Sequence, residues 1–308
     1  MVIIGAGMAG LAAAVSLREA GLQPVLVDKS RAVGGRMSTR TIGDARFDHG
    51  AQHFGIESDL VAKLLEPANE AGVVREWFRT RDGRARYAGV GGMRRIPEFL
   101  ARNLDVRTGT PVERLTVDDG RVIVFAGDQR IEGSAVVVTP PLPQSLALLG
   151  ASGIGVPESA VHQVSYRACL AVMAHLDAPS GLPDGHLTLG DGAIGWLADN
   201  GHKGTSGVPS LTIHSTPAFA AEHLEDDPEA WVDLLLDAAQ PFLESHVAGA
   251  TGHRWRYAEP TTVLDVESIV LQQSPPVVLA GEVFAGAKVE GAALSGLSAA
   301  RAVSDLLA

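Results

Sequence analysis

Val2-Ile3-Ile4-Gly5-Ala6-Gly7-Met8-Ala9-Gly10-Leu11 opens the chain, and Pro24-Val25-Leu26-Val27-Asp28 follows a short way downstream. The first stretch is an apolar run that breaks into three glycines at the spacing Gly-x-Gly-x-x-Gly. Small and apolar residues then continue from Leu11 to Ala20 and stop at Gly21, the residue type that ends helices. The second apolar run ends on an acid 18 residues beyond Gly10. Strand, glycine turn, helix, strand and acid make a βαβ unit of the dinucleotide-binding kind. Each part has a physical task. Gly5 makes the tight turn, Gly7 lets backbone approach a pyrophosphate, and Gly10 lets helix and strand pack closely, with Ala6, Met8 and Ala9 between them. The positive helix end faces the phosphates, and Asp28 accepts hydrogen bonds from ribose hydroxyls. Without this context the glycine spacing alone is a weak signal.

Working outward, Lys29-Ser30-Arg31-Ala32-Val33-Gly34-Gly35-Arg36 follows the acid directly. Two adjacent glycines permit a backbone turn beside a cofactor, and Arg36 is suited to bidentate phosphate contacts. A plain nicotinamide dehydrogenase does not need this second device, so it points to FAD. At the far end, an apolar strand over 277–281 and a loop lead into Val289-Glu290-Gly291-Ala292, which opens a helix reaching Leu307. That places backbone N–H groups and a positive dipole end together.

The 308 residues suit two lobes rather than one compact domain. Between the ends, the pattern predicts helices over 58–74 and 94–103, and a hairpin or loop over 75–90. It predicts strands over 106–117, 122–125 and 135–138, then further strands over 168–175, 195–198 and 210–215. One or two helices follow over 217–247, and residues 36–55 read as irregular. A returning strand and helix imply a discontinuous cofactor domain.

The formal charge is −11, with no Lys/Arg cluster, which argues against nucleic acid or an anionic membrane as partner. No run of 18 apolar residues reads as a membrane span, and no basic residue precedes the apolar start as in a signal peptide. Cys169 is the single cysteine, so no intramolecular disulfide forms, and a reducing cytoplasm fits. Its apolar neighbours favour a buried thiol over a catalytic or flavin-tethering one, so FAD is expected to be noncovalent. The ten histidines give no metal pattern: His49-x-x-x-His53 lacks the glutamate of a zinc motif. No Gly-x-Ser-x-Gly elbow supports a hydrolase.

The run GAGMAGLAAAVSLREAG with VLVDKSRAVGGRMSTR resembles the flavin amine-oxidase superfamily. Within it, Phe47-Asp48-His49-Gly50-Ala51-Gln52-His53-Phe54 resembles the renalase family, as does Val289 to Gly296 after Ala280-Gly281-Glu282. Gly195 to Asn200, Leu211 to Thr216 and His253 to Ala258 are similar to bacterial renalase segments. The resemblance implies an α/β fold: a Rossmann-like FAD-binding domain built from 1–55, 92–145 and 272–308, and a smaller mixed α+β substrate domain from 56–91 and 146–271. It implies that Lys29, Gly35, Arg36, Met37, His49, Gly50, Ala51, Gln52, Gly281, Glu282 and Val289 to Ala292 join the N-terminal motif around FAD. Glu290 and Gly291 lie in the helix start that would face the flavin N1–C2=O edge. Val112 matches a strand whose backbone pairs with adenine in the superfamily, against the alternative of a simple strand. Gln52, His53, Asn200, His214, Trp255 and Tyr257 are the candidates for the flavin face. His214 reads equally as a satisfied buried histidine, and Trp255 and Tyr257, which share a strand face, as pocket wall or as core. The chain has Glu282 where the family has aspartate, Ala293 where it often has an aromatic, and His53 where it often has tyrosine.

By resemblance, the substrate is a 2- or 6-dihydropyridine isomer of NAD(P)H, oxidised by hydride transfer, with O2 returning the flavin to its oxidised form. An FAD-dependent amine oxidase or a desaturase-like enzyme is the alternative, weakened by a total of three tyrosines and four tryptophans. A non-catalytic FAD-binding redox sensor is the reading from another class.

Overall fold

The computed structural model describes residues 1–308, the side chains of Glu158 and Ala160 apart. A six-stranded sheet runs in the order Ile269–Gln273, Pro276–Leu279, Val136–Val138, Val2–Ile4, Val25–Val27, Asp105–Arg107. Its strands are parallel except for the edge hairpin of 269–273 with 276–279. The central strands are buried throughout and apolar because both faces are covered. Alternation divides their side chains. Ile3, Leu26, Val137 and Val278 face the core under helices Met8–Glu19 and Lys288–Leu307. Val2, Ile4, Val136, Val138 and Leu279 face a second core with Leu115, Val122 and Val124 of an antiparallel three-stranded sheet, and with helix Leu142–Ala151.

The chain's two end helices pack closely because both carry small residues at the crossing. A Cβ on Gly296 would lie 2.1 Å from the Ala9 carbonyl oxygen. This contact joins the N-terminal motif to the C-terminal one and makes the cofactor lobe discontinuous in sequence.

The second lobe is a five-stranded antiparallel sheet in the order His186–Thr188, Ile194–Asp199, Ser210–Ser215, Tyr166–Leu176, Val247–Pro260. Helices Pro217–His223 and Pro228–Ala239 cover one face. Fully buried Trp231 lies against Gly252, where a Cβ would meet its ring at 2.3 Å. Segment 56–91 serves both lobes. Val61, Leu65, Ala68 and Val74 fill the core of the nucleotide lobe, while Trp77 and Phe78 reach His186 and Trp196 of the second sheet.

Several expectations meet a different structure. The continuous strand over 106–117 is two strands, Asp105–Arg107 and Arg114–Asp118. Gly109 at φ +65° and Pro111, which has no N–H, interrupt the ladder. Val112 therefore lies in a loop and not in a strand. Residues 36–55, read as irregular, contain the hairpin Thr39–Ile42 with Ala45–Asp48, turning at Gly43 with φ +59°. The last strand of the second lobe, Val247–Pro260, is half-buried along most of its length. Among the described residues, no helix is long and apolar enough to cross a membrane.

Candidate flavin site and substrate face

The nucleotide end is built from backbone. Gly5 sits at φ +102°, and a Cβ on Gly10 would lie 2.0 Å from the Gly5 carbonyl oxygen, so both positions require glycine. Gly7 caps helix Met8–Glu19 without a side-chain hydrogen bond, and the first turn carries no acid. Its leading N–H groups need an acceptor from outside the helix. The space where a Gly7 side chain would stand is open, with nothing within 4 Å. Asp28 holds two loops together, accepting from the Ala6 N–H at 2.7 Å and the Ser30 N–H at 2.7 Å. Gly34, at φ +110°, donates to the Ala6 carbonyl at 2.8 Å, and Gly35 lies beside Gly7. The Gly-Gly-Arg turn thus abuts the first glycine turn. Met8, Ala9 and Met37 are buried in the core beneath, and Lys29 donates to Gln144 at 3.0 Å on the rim.

The next loop is layered on this one. A Cβ on Gly50 would strike the Arg36 carbonyl oxygen at 2.0 Å, and Ala51 donates to that oxygen at 2.8 Å. The Arg36 side chain turns to Glu282 in an ion pair at 2.5 Å and donates to the carbonyls of Tyr257 and Ala258. The Tyr166 hydroxyl donates to Glu282 at 2.9 Å. Burial alone would raise the Glu282 carboxyl, but the Arg36 charge and hydrogen bond overrule it and hold the group below its ordinary value. Sequence reading gives Arg36 to a phosphate; here its guanidinium is committed to Glu282.

At the far end, Gly281 takes φ +149° and donates to Ser295 at 2.9 Å. A Cβ on Gly291 would lie 1.6 Å from the Gly286 oxygen, so only glycine lets loop 281–287 fold back on the helix it precedes. Helix Lys288–Leu307 starts at Ala287 with no side-chain cap. Its Glu290 carboxylate accepts from the Glu57 and Ser58 N–H groups, both at 2.7 Å, so the acid of this turn is engaged within the protein. Val289 and Ala292 are buried beneath it. The helix start lies eight residues, about 12 Å, before the Gly296 crossing with Ala9. Two uncapped helix starts at that spacing, with open space at Gly7, fit the phosphate and ring ends of one flavin nucleotide.

Beside the 50–52 loop lies a buried polar network. Asp48 and Lys203, both fully buried, pair at 2.9 Å. Asp48 also accepts from Thr39 (2.5 Å), the Met93 N–H (2.8 Å) and Thr205 (2.9 Å). Lys203 also donates to Gln52 at 3.2 Å and stands 4.9 Å over the Trp77 ring. Burial pulls the Lys203 ammonium down from its usual value, against the Asp48 charge, with Arg75 adding repulsion. Gln52 turns its NH2 to the carbonyls of Asp48 and Gly50, so its amide pins the loop. Asn200, fully buried, accepts from the Asp48 N–H and donates to Thr212, which makes it a positioning residue. His214 Nε2 lies 3.1 Å from the His49 carbonyl oxygen, which also accepts from the Trp255 indole N–H at 2.8 Å. His49 stacks on Trp255 with ring centroids 5.4 Å apart, and Tyr257 meets Tyr166 edge-on. Trp255 and Tyr257 therefore wall the boundary between the lobes.

A cluster of half-buried aromatic rings stands next to this network. His53 meets Phe78 and Trp196 at 5.1 and 5.3 Å, His186 stacks on Trp196 at 5.0 Å, and Trp77 closes the group. His53 Nδ1 and the indole nitrogens of Trp77 and Trp196 are buried there without a hydrogen-bond partner. Burial drives three imidazoles down: His49 to about 3, His53 to about 3 with help from Lys203, Arg86 and Lys288, and His214 to about 4. All three are neutral at pH 7. Burial also pushes the Cys169 thiol up to about 12, away from reactive thiolate. Among the described residues, no three His, Cys, Asp or Glu side chains are grouped to hold a metal ion.

Sequence reading did not single out Asp48, Lys203, Trp77, Phe78, His186 or Trp196. Lys203 lies in a glycine-rich turn, where a lysine ordinarily reads as solvated, and only the fold brings it under Asp48. The aromatic wall draws on two lobes and leaves no local pattern.

Residues 65–304 match the flavin containing amine oxidoreductase family, and residues 3–66 match an NAD(P)-binding Rossmann-like domain. Cyclohexylamine oxidase from Brevibacterium oxydans superposes with a TM-score of 0.76 at 15% identity, covering 99% of this chain and 98% of that one. A CLA-producing fatty acid isomerase from P. acnes superposes at 0.74 and 14% identity, covering 96% of each chain. At these identities the likeness establishes the fold. A curated relative from Cereibacter sphaeroides, named as a glutamate synthase [NADPH] small chain, is 41% identical over 71 residues, which are 23% of this chain and 15% of that relative. The cradle at both ends of the sequence and the match over most of its length agree: the chain belongs to the flavin-containing amine oxidoreductase family and is an FAD-dependent oxidoreductase.

Proposed function

We propose that the enzyme is a renalase-like oxidase of dihydropyridine nucleotides, taking the 2- or 6-dihydro isomer of NAD(P)H. Bound FAD would accept a hydride at N5 from the ring carbon and pass two electrons to O2, so that dihydropyridine, O2 and a proton become NAD(P)+ and H2O2. The observation that carries this reading is the aromatic wall of His53, Trp77, Phe78, His186 and Trp196 beside histidines that are poor bases. Loss of hydride from a dihydropyridine yields an aromatic pyridinium and needs no proton abstraction. The protein has only to stack the ring, orient it and keep water out. Half-buried aromatic faces supply stacking.

The remaining residues act on these groups. Lys203 and Asp48 fix Gln52, and Gln52 fixes the turn at Gly50 against Arg36. His214 and Trp255 hold the His49 carbonyl from the second sheet. An ammonium substrate is disfavoured, because Arg86 and Lys288, neither of them paired with an acid among the described residues, both act on His53 with positive charge. Aerobic turnover with a donor panel tests the reading: 6-dihydro-NAD should yield NAD+ and H2O2 in equal amounts, while NADH and cyclohexylamine should give rates lower by orders of magnitude. Turnover of the amine alone would overturn it.

A further inference from the structure

Segment 53–58 is held from two sides. Phe54 exchanges backbone hydrogen bonds with Tyr87 at 3.0 and 2.8 Å, which sets Arg86 beside Gly55. A Cβ on Gly55 would lie 2.8 Å from the Arg86 guanidinium, which places the end of that side chain over this segment. On the other side, Glu290 holds the N–H groups of Glu57 and Ser58, which brings the start of the last helix, with Lys288 exposed on it, against the same segment. An open cleft of about 430 Å3, lined by Glu57, Ser58, Gly286, Ala287 and Gly291 among others, runs along it. Arg86 and Lys288 both act electrostatically on His53, at the edge of the aromatic wall.

Neither cation has an acidic partner among the described residues, and Arg86 donates only to its neighbour's carbonyl at 3.2 Å. The acids at this rim are engaged: Glu57 pairs with Arg84 at 3.4 Å, and Glu290 accepts two backbone N–H groups. Two unbalanced cations in a chain of net charge −11, next to ring-stacking surface, make a site for a ligand with an aromatic ring and an anionic tail. Lys288 holds a left-handed backbone at φ +83°, a conformation that costs energy in any residue but glycine.

We propose that Arg86 and Lys288 clamp the phosphates of the substrate while its ring enters the aromatic wall. This deepens the reading above and rests on it for the identity of the ring, but the anion site itself does not depend on that chemistry. Arg86→Gln and Lys288→Gln should each weaken the apparent affinity for 6-dihydro-NAD by about tenfold, the scale of one charge-assisted contact. A phosphate-free N-alkyl dihydronicotinamide should show no such loss in either variant, and Arg86→Lys should recover part of the affinity for 6-dihydro-NAD. An equal loss for both donors, or no loss, overturns the clamp. A second measurement separates the two claims: titration of the oxidised holoenzyme with inorganic pyrophosphate, followed by flavin difference spectra. Binding to wild type that weakens in both variants supports the clamp even if no dihydropyridine is oxidised, in which case only the substrate reading falls. Pyrophosphate binding that is unchanged in the variants, or absent from wild type, overturns the clamp.

Discussion

Replacing Lys203 by methionine leaves the apolar stem in place and deletes the charge that faces Asp48 at 2.9 Å. The Asp48 carboxylate then keeps Thr39, Thr205 and the Met93 N–H as donors. Breaking a buried pair costs about 3–5 kcal/mol, and with three donors retained the loss should lie near 3 kcal/mol. Asp48→Asn is the harsher change. It strands an ammonium with only Gln52 and the Trp77 face for company, and its new NH2 must confront groups that donate to the aspartate, so the cost should approach 5 kcal/mol. The double substitution removes both charges and should be less destabilising than the sum of the singles by about 2 kcal/mol or more. Urea unfolding at pH 7.5 and one fixed FAD concentration, followed by circular dichroism and flavin fluorescence, measures all three. A Lys203→Met cost below about 1 kcal/mol, or additivity of the pair, would refute the reasoning that this buried pair anchors the loop under the flavin.

Gly10→Ala forces a Cβ to within 2.0 Å of the Gly5 carbonyl oxygen and should leave the first helix unable to dock, seen as a protein that purifies unfolded or aggregated. Gly7→Ala meets nothing within 4 Å and should fold with a circular dichroism spectrum like wild type, yet bind FAD about a hundredfold more weakly by fluorescence titration, because the new methyl enters the space kept for phosphate. His49, His53 and His214 are buried neutral with values lowered to about 3, 3 and 4, so the unfolded chain takes up protons below about pH 6.5 while the folded one does not. Their contribution is fully present above pH 6.5. It should be lost as pH falls from there toward 4 for His214 and toward 3 for His49 and His53, by on the order of 2 kcal/mol per histidine at pH 5, in urea melts across that range. Trp255→Phe keeps the stack on His49 but deletes the N–H donated to the His49 carbonyl at 2.8 Å, and should cost about 1 kcal/mol with a larger fall in flavin reduction rate.

Much of the cofactor lobe is legible in the sequence because its determinants are local. Gly5, Gly10 and Asp28 are close along the chain, and each is required by a backbone turn or a carboxylate contact in the fold, while Gly7 stands at the open helix start between them. Gly291 is legible for the same reason, since it folds against Gly286 five residues before it, whereas Gly296 is required by Ala9 at the other end of the chain. Arg36 suggests a phosphate ligand from its neighbours alone, while its partner Glu282 lies 246 positions away. No local pattern reports such a pair. Gln52, Asn200 and His214 do converge at one place, but their hydrogen bonds show the first two as supports for a loop. The substrate wall was least legible. Trp77 and Phe78 sit on a short hairpin and His186 and Trp196 on a distant sheet, so the aromatic surface exists only once the lobes are packed.

The most direct test of the proposed activity is anaerobic stopped-flow reduction of the flavin by 6-dihydro-NAD, repeated from pH 6 to pH 9. The account predicts rapid bleaching of the oxidised flavin absorbance, at a limiting rate that does not change across that range, because no proton has to be abstracted and the histidines at the site stay neutral throughout. Slow or absent bleaching with this donor alongside rapid bleaching with an amine would contradict it. So would a limiting rate that climbs tenfold per pH unit, since that would place a titrating base in the step.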